Sequence, residues 1–194
     1  MHIISEIKRK VIHFFTILIP ILYSFSSRKE MLYLCGVLIF FALLVELARW
    51  TWSSFSAFFD KIFFFLLRDN EKHGLTGATF IFLGLFLSIL LFDKNIAQTV
   101  MMFIIISDAF SAIMGQIWGN HKIYGDKTLE GSLAYCVSSL VIVCLIIDIN
   151  ILIGVSGIIA SLAAEIFITR IDDNVTVAVI GGGTMQVLST LNIC

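Results

Sequence analysis

Seven apolar runs, most of them near the length needed to cross a bilayer as a helix, take up most of this chain. They run from Val11 to Phe25, Met31 to Ala48, Leu75 to Phe92, Ile96 to Trp118, Leu133 to Ile149, Ile151 to Ile168 and Val175 to Leu191. About 20 helical residues cross the ~30 Å of hydrocarbon, where backbone polar groups must be satisfied within the segment itself. With 59% hydrophobic residues, a mean hydropathy of +0.99 and one proline in 194 residues, an ordinary water-soluble domain is excluded. The expected fold is an all-α integral membrane protein. It has one polytopic membrane domain over residues 1–194, a bundle of about seven transmembrane helices.

Basic residues set the orientation. With the N-terminus in the cytoplasm, Lys8, Arg9, Lys10, Arg49, Lys61, Arg68, Lys72, Lys122, Lys127 and Arg170 lie inside, against Arg28, Lys29 and Lys94 outside. This predicts a multi-pass protein, of the inner membrane if prokaryotic, with its site facing the cytoplasm. No basic patch interleaved with aromatics points to a nucleic-acid partner. Lys8, Arg9 and Lys10 precede an apolar run as in a signal peptide, but no small-residue cleavage site precedes Arg28, so the first helix is read as retained. Cys35, Cys136, Cys144 and Cys194 have neither metal-ligand nor redox spacing.

Four polar clusters fall on the cytoplasmic side of this topology. The first is Glu6, Arg9, Lys10 and His13. The others are Arg68 to Thr79, Ser107 to Ser132 and Glu165 to Asn174. Between the second and third apolar runs, Arg49 to His73 suits a helix lying in the interface, with Trp50 and Trp52 near the headgroups. Asp108 sits within an apolar helix, where an ionisable residue costs roughly 2.5–3.5 kcal/mol on insertion scales and so marks function. Asp108, Ala112, Gly115 and Gly119 share a helical face, as do Gly157, Ser161, Glu165, Thr169 and Asp172. Small-residue faces serve close helix packing or admit a ligand. Gly181, Gly182 and Gly183 are read as close packing.

Several acids, a few lysines, hydroxyls and a glycine-flanked loop are the inventory that transfer from a nucleotide requires. Carboxylates hold Mg²⁺ and cations neutralise phosphate oxygens. There is no Walker A motif and no protein-kinase signature. The four histidines show neither HExxH nor cysteine pairing, which argues against zinc. His13 stands out because it falls inside a span one turn after Arg9.

The ordered segments EIKRKVIHF (Glu6 to Phe14), HGLTGATFIFLG (His73 to Gly84), SDAFSAIMGQIWG (Ser107 to Gly119), KTLEGS (Lys127 to Ser132) and AEIFITRIDDNVTV (Ala164 to Val177) resemble the dolichol kinase and phytol kinase family. That family includes a CTP-dependent diacylglycerol kinase and is distantly similar to phosphatidate cytidylyltransferases. The resemblance implies phosphoryl transfer from CTP, with a divalent metal, to the hydroxyl of a membrane lipid alcohol: a polyprenol or dolichol, phytol or another isoprenoid alcohol, or diacylglycerol. It places Ser107, Asp108, Lys127, Thr128, Glu130 and Gly131 at a nucleotide-facing centre, with Asp172, Asp173 and Asn174 as its acidic partner. On this reading Mg²⁺ lies between Asp108 and the Asp172/Asp173 pair, Lys127 and Lys72 contact phosphate, and Thr76 belongs to the nucleotide site. Glu130 and Glu165 are the candidates to orient or deprotonate the acceptor hydroxyl. The alternatives are a cytidylyltransferase making a CDP-lipid and a small membrane transporter whose buried acid couples transport. A CDP-alcohol phosphotransferase is disfavoured because its DGxxAR motif is absent.

Overall fold

The computed structural model describes residues 2–63, 67, 71, 74–146, 149–168 and 170–191. Apart from one small hairpin it is all-α. The elements are α1 (His2–Phe14), α2 (Leu18–Phe25), α3 (Arg28–Thr51), α4 (Ser53–Phe63), α5 (Gly77–Leu91), α6 (Lys94–Met102), α7 (Asp108–Trp118), β1 (Lys122–Tyr124), β2 (Lys127–Thr128), α8 (Leu129–Leu145), α9 (Ile151–Phe167), α10 (Asp173–Thr176) and α11 (Gly182–Thr190). Arg28–Thr51 and Lys94–Trp118 are long and apolar enough to cross a membrane, while Gly77–Leu91, Leu129–Leu145 and Ile151–Phe167 are shorter apolar helices. Among the described residues, two of the seven expected spans are thus helices of full membrane-crossing length.

Local chemistry explains the boundaries. Ser27 and Glu30 cap α3 reciprocally: the Ser27 side chain accepts from the Glu30 backbone at 3.3 Å, and Glu30 accepts from the Ser27 backbone at 2.8 Å. Asn150 caps α9 by accepting from the Leu152 backbone at 2.9 Å. The first apolar run is not one straight helix. Pro20 lacks an N–H and its ring crowds the carbonyl four residues back, and the chain tightens into a 3₁₀ turn over Phe15–Ile17 between α1 and α2.

α6 and α7 form one rod, joined by a π segment at Phe103–Ser107; a second π segment, Val177–Gly181, joins α10 to α11. A π turn inserts an extra residue and rotates everything beyond it, often at functional sites. Here the first ends immediately before Asp108. The α6–α7 rod is the centre of the bundle, touching α1, α2, α5, α8 and α11, and buries Val100, Met101, Phe103, Ile104 and Ile105. In contrast, α3 packs mainly on α5 and leaves Tyr33, Phe40, Phe41 and Leu47 exposed.

One end of the bundle is tied by polar links far from the expected site. Gln186 donates to Asp93 Oδ2 at 2.7 Å, Lys94 donates to the carbonyls of Ser24 and Ser26 at 3.1 and 3.2 Å, and Arg28 donates to the Leu90 carbonyl. Near the other end α7 and α8 meet at backbone distance. A Cβ on Gly115 would lie 2.9 Å from Thr128 Oγ1, and one on Gly131 2.9 Å from the Ser111 carbonyl oxygen. The small-residue face of α7 therefore serves helix packing.

Candidate active site

Carboxylates from three different elements converge at that second end. Asp108 opens α7, Glu165 lies in the last turn of α9, and Asp173 opens α10; one oxygen from each lies within 4.8 Å of the others. The hairpin supplies a cation. Gly125, at φ 55°, turns the chain between β1 and β2, a left-handed conformation glycine adopts without steric cost. Lys127, on the returning strand, donates to Glu165 Oε1 at 2.8 Å and to Asp173 Oδ2 at 2.7 Å. Tyr124 rests against Phe167 with ring centroids 6.3 Å apart, holding the hairpin on the end of α9.

A second cation arrives from the opposite side. Lys10 of α1, itself buried, pairs with Asp108, and His13 Nδ1 lies 3.8 Å from Asp108 Oδ2. Ser111 donates to Glu165 Oε1 at 3.3 Å. Glu165 is only 3% exposed, and its Oε2 has no hydrogen-bond partner among the described residues. Burial alone would pull the Lys127 ammonium down, but the Glu165 and Asp173 carboxylates hold it above its ordinary value. It therefore stays charged through the physiological range.

Two cavities meet at this cluster. The larger, about 970 Å³, is the more polar of the two and includes Ser111, Gln116, Asp126, Lys127, Thr128, Gly131, Glu165 and Arg170 in its wall. The other, about 480 Å³, is mainly apolar and runs between α1, α3, α4 and α5, past Leu38, Phe41, Val45, Phe59, Phe63 and Phe82. Lys10, Glu71, Asp108, Asp172 and Asp173 line both.

The residues expected from sequence thus divide. Asp108, Lys127, Thr128, Gly131, Glu165, Asp172 and Asp173 line the polar cavity. Asp172 is also the N-cap of α10: its Oδ1 accepts from the Asn174 backbone at 3.0 Å and from Asn174 Nδ2 at 2.6 Å. Burial raises its carboxyl from the ordinary value, and the Asn174 donors oppose that rise. Thr76 and Asn174 line the apolar cavity. Ser107 is buried in the core, its hydroxyl accepting from Ser139 at 2.7 Å. Glu130 accepts from the His121 ring at 2.7 Å beside the hairpin and lines neither cavity. Lys72 lies outside the described residues.

A buried ion pair on α3 escaped the sequence reading. Arg49 pairs with Glu46, and Glu46 Oε1 accepts from the Thr76 backbone at 2.7 Å, the Thr76 hydroxyl at 2.7 Å and the Thr79 hydroxyl at 3.1 Å. Arg49 also donates to the Glu71 carbonyl at 2.9 Å and lies 4.9 Å from the centroid of the Phe59 ring. Together these contacts fix the start of α5 and the position of α4 against the apolar cavity. The signal was present as an acid three residues before Arg49 on an apolar helix.

No protein-family profile matches the chain, and no solved structure matches it. An uncharacterized protein of Rickettsia prowazekii (strain Madrid E) is 29% identical over 182 residues, 89% of this chain and 89% of that protein. A CTP-dependent diacylglycerol kinase of Schizosaccharomyces pombe is 28% identical over 90 residues, which is 45% of this chain and 41% of the kinase. The second match supports a distant relationship to that kinase family.

Proposed function

We propose that the protein is a multi-pass membrane enzyme, its N-terminus and site on the cytoplasmic side, that transfers the γ-phosphoryl group of CTP to the hydroxyl of a membrane lipid alcohol. The observation that carries this reading is the meeting of a polar and an apolar cavity at one set of carboxylates. A nucleotide and a lipid chain need solvents of opposite character, and a transfer enzyme must bring both to one point. The partial similarity to a CTP-dependent diacylglycerol kinase supports the same donor and acceptor class.

The donor set fits a hard divalent cation. Three carboxylate oxygens lie close together, and the buried Glu165 Oε2 lacks a partner among the described residues. Asp108, Glu165 and Asp173 would hold Mg²⁺, which when bound supplies neutralisation of phosphate charge. Lys127, paired with Glu165 and Asp173, and Lys10, paired with Asp108, are the cations that would reach phosphate oxygens. Thr128 and Gly131, where α8 begins on the polar cavity, lie beside them. Glu165 lines only the polar cavity, on the nucleotide side, whereas Asp108 and Asp173 also face the acceptor.

In the transfer, the bond between the γ-phosphorus and the β,γ-bridging oxygen breaks as a bond to the lipid oxygen forms. CDP leaves, and the hydroxyl proton passes to a carboxylate lining both cavities. Phosphoryl transfer asks little covalent work of the protein, so positioning and charge carry most of the rate. Purified protein in detergent with Mg²⁺, CTP or ATP, and a panel of polyprenol, phytol, farnesol, geranylgeraniol and diacylglycerol tests this. Lipid phosphate formed with CTP is the expected product, and no phosphorylation of any alcohol would overturn the proposal.

A further inference from the structure

The apolar cavity holds one buried imidazole that the reaction described above does not use. His13 is 5% exposed, and its Nε2 has no hydrogen-bond partner among the described residues although the ring lines the cavity. A buried polar atom without a partner carries a desolvation cost, so an orphan of this kind calls for a ligand or another explanation. Three hydroxyls on this cavity are already engaged: Thr16 donates to the His13 carbonyl at 2.6 Å, while Thr76 and Thr79 donate to Glu46. The opposite ring nitrogen, Nδ1, lies 3.8 Å from Asp108 Oδ2. A carboxylate on that side favours the tautomer with its proton on Nδ1 and leaves Nε2 as an acceptor.

We infer that His13 holds the acceptor lipid by its hydroxyl, Nε2 accepting the O–H hydrogen bond while the lipid chain lies along Leu38, Phe41, Val45 and Phe82. This rests on the reading of the apolar cavity as the acceptor site. It adds the residue that selects for an alcohol. A lipid whose polar end lacks an O–H donor leaves Nε2 unpaired and is rejected, even where its chain fits. The Nδ1 side of the ring lies against Asp108, one of the carboxylates that line both cavities, so the hydroxyl is held near their junction in the bound state and its proton turns from Nε2 to a carboxylate as transfer occurs. Asn174 Oδ1 is a second buried acceptor without a partner on this cavity, and it sets the control.

The test compares alcohols with their own methyl ethers, which keep the oxygen and chain but cannot donate. Binding of geranylgeraniol, dioctanoylglycerol and their methyl ethers to the full-length protein in detergent is read from thermal stabilisation, with CTP binding measured in parallel to show that each variant is folded. Wild-type protein should prefer an alcohol over its ether by about tenfold, the worth of one hydrogen bond at a buried acceptor. His13→Leu should bind alcohol and ether equally with its CTP affinity kept. His13→Gln, whose side-chain oxygen can accept, should recover part of the preference. A preference that survives His13→Leu, or that is lost instead in Asn174→Leu, overturns the assignment. Failure of both alcohols to bind wild-type protein overturns it together with the acceptor site. Selective binding without phosphorylation would overturn the kinase reading and leave the His13 contact standing.

Discussion

Lys127 Nζ donates to Glu165 Oε1 at 2.8 Å, and this contact fastens the hairpin to the last turn of α9. Lys127→Met would leave Glu165 buried without its cation. Removing one partner of a buried pair costs about 3–5 kcal/mol, and the 31% exposure of the Lys127 side chain places the cost near the lower figure. Melting temperature in detergent should fall and turnover should be lost. Lys127→Met with Glu165→Gln should regain most of the stability and none of the turnover, because the double change removes the charge conflict but not the need for a cation at phosphate.

Asp108→Asn is expected to lower turnover by about a hundredfold or more, the scale seen when one preorganised charge or donor is removed from a site. Sequence alone suggests that the change would be tolerated, since it takes a charge out of an apolar helix. The structure reverses that expectation for stability. Lys10, 6% exposed, would lose its counter-charge. Thermal unfolding should show Asp108→Asn destabilised and Asp108→Asn with Lys10→Met restored, with both inactive per folded molecule.

The helices were legible because long apolar runs have few other ways to satisfy their backbone. Asp108 was legible because a charge in such a run is costly. Contacts between distant segments were not: nothing local says that Lys10, 98 positions earlier, meets Asp108. The acidic pair Asp172 and Asp173 reads as two equivalent ligands, yet Asp172 is also used as a helix cap and Glu165 takes the third place in the carboxylate cluster. The hairpin carried a readable signal, Gly125 and Asp126 between two short polar strands, which the apolar pattern around it obscured. The π turn before Asp108 shifts its facing by one residue, a change that a regular 3.6-residue period does not foresee.

Gly84 sets the position of α10. A Cβ there would lie 2.4 Å from the Asn174 carbonyl oxygen, a backbone atom that cannot step aside cheaply. Gly84→Ala should therefore displace Asp172, Asp173 and Asn174 and lower turnover beyond its effect on melting temperature. Gly183 is the contrast, with nothing within 4 Å of an added Cβ. Gly183→Ala should stabilise by about 0.5 kcal/mol through reduced backbone entropy and leave turnover unchanged.

Glu130 and Glu165, equivalent candidates in the sequence, separate in the structure. The hydrogen bond to the His121 ring, with backbone donors, holds the Glu130 carboxyl down at about 2, from an ordinary value of 4.5. A depressed carboxyl stabilises the fold above its ordinary value, and that contribution is lost as the pH falls from about 4.5 toward 2. By NMR titration the Glu130 carboxyl should move upward in His121→Ala. At neutral pH Glu130→Gln should keep most of the turnover while Glu165→Gln loses it.

Following the label out of CTP tests the account most directly. Purified protein with Mg²⁺ and either a lipid alcohol or the corresponding lipid phosphate receives CTP labelled at either the γ- or the α-phosphate, and the lipid and aqueous phases are counted separately. The account predicts γ-label in the extracted lipid phosphate and α-label in soluble CDP. Label from the α-position in the lipid, with pyrophosphate released, would contradict it and make the protein a cytidylyltransferase.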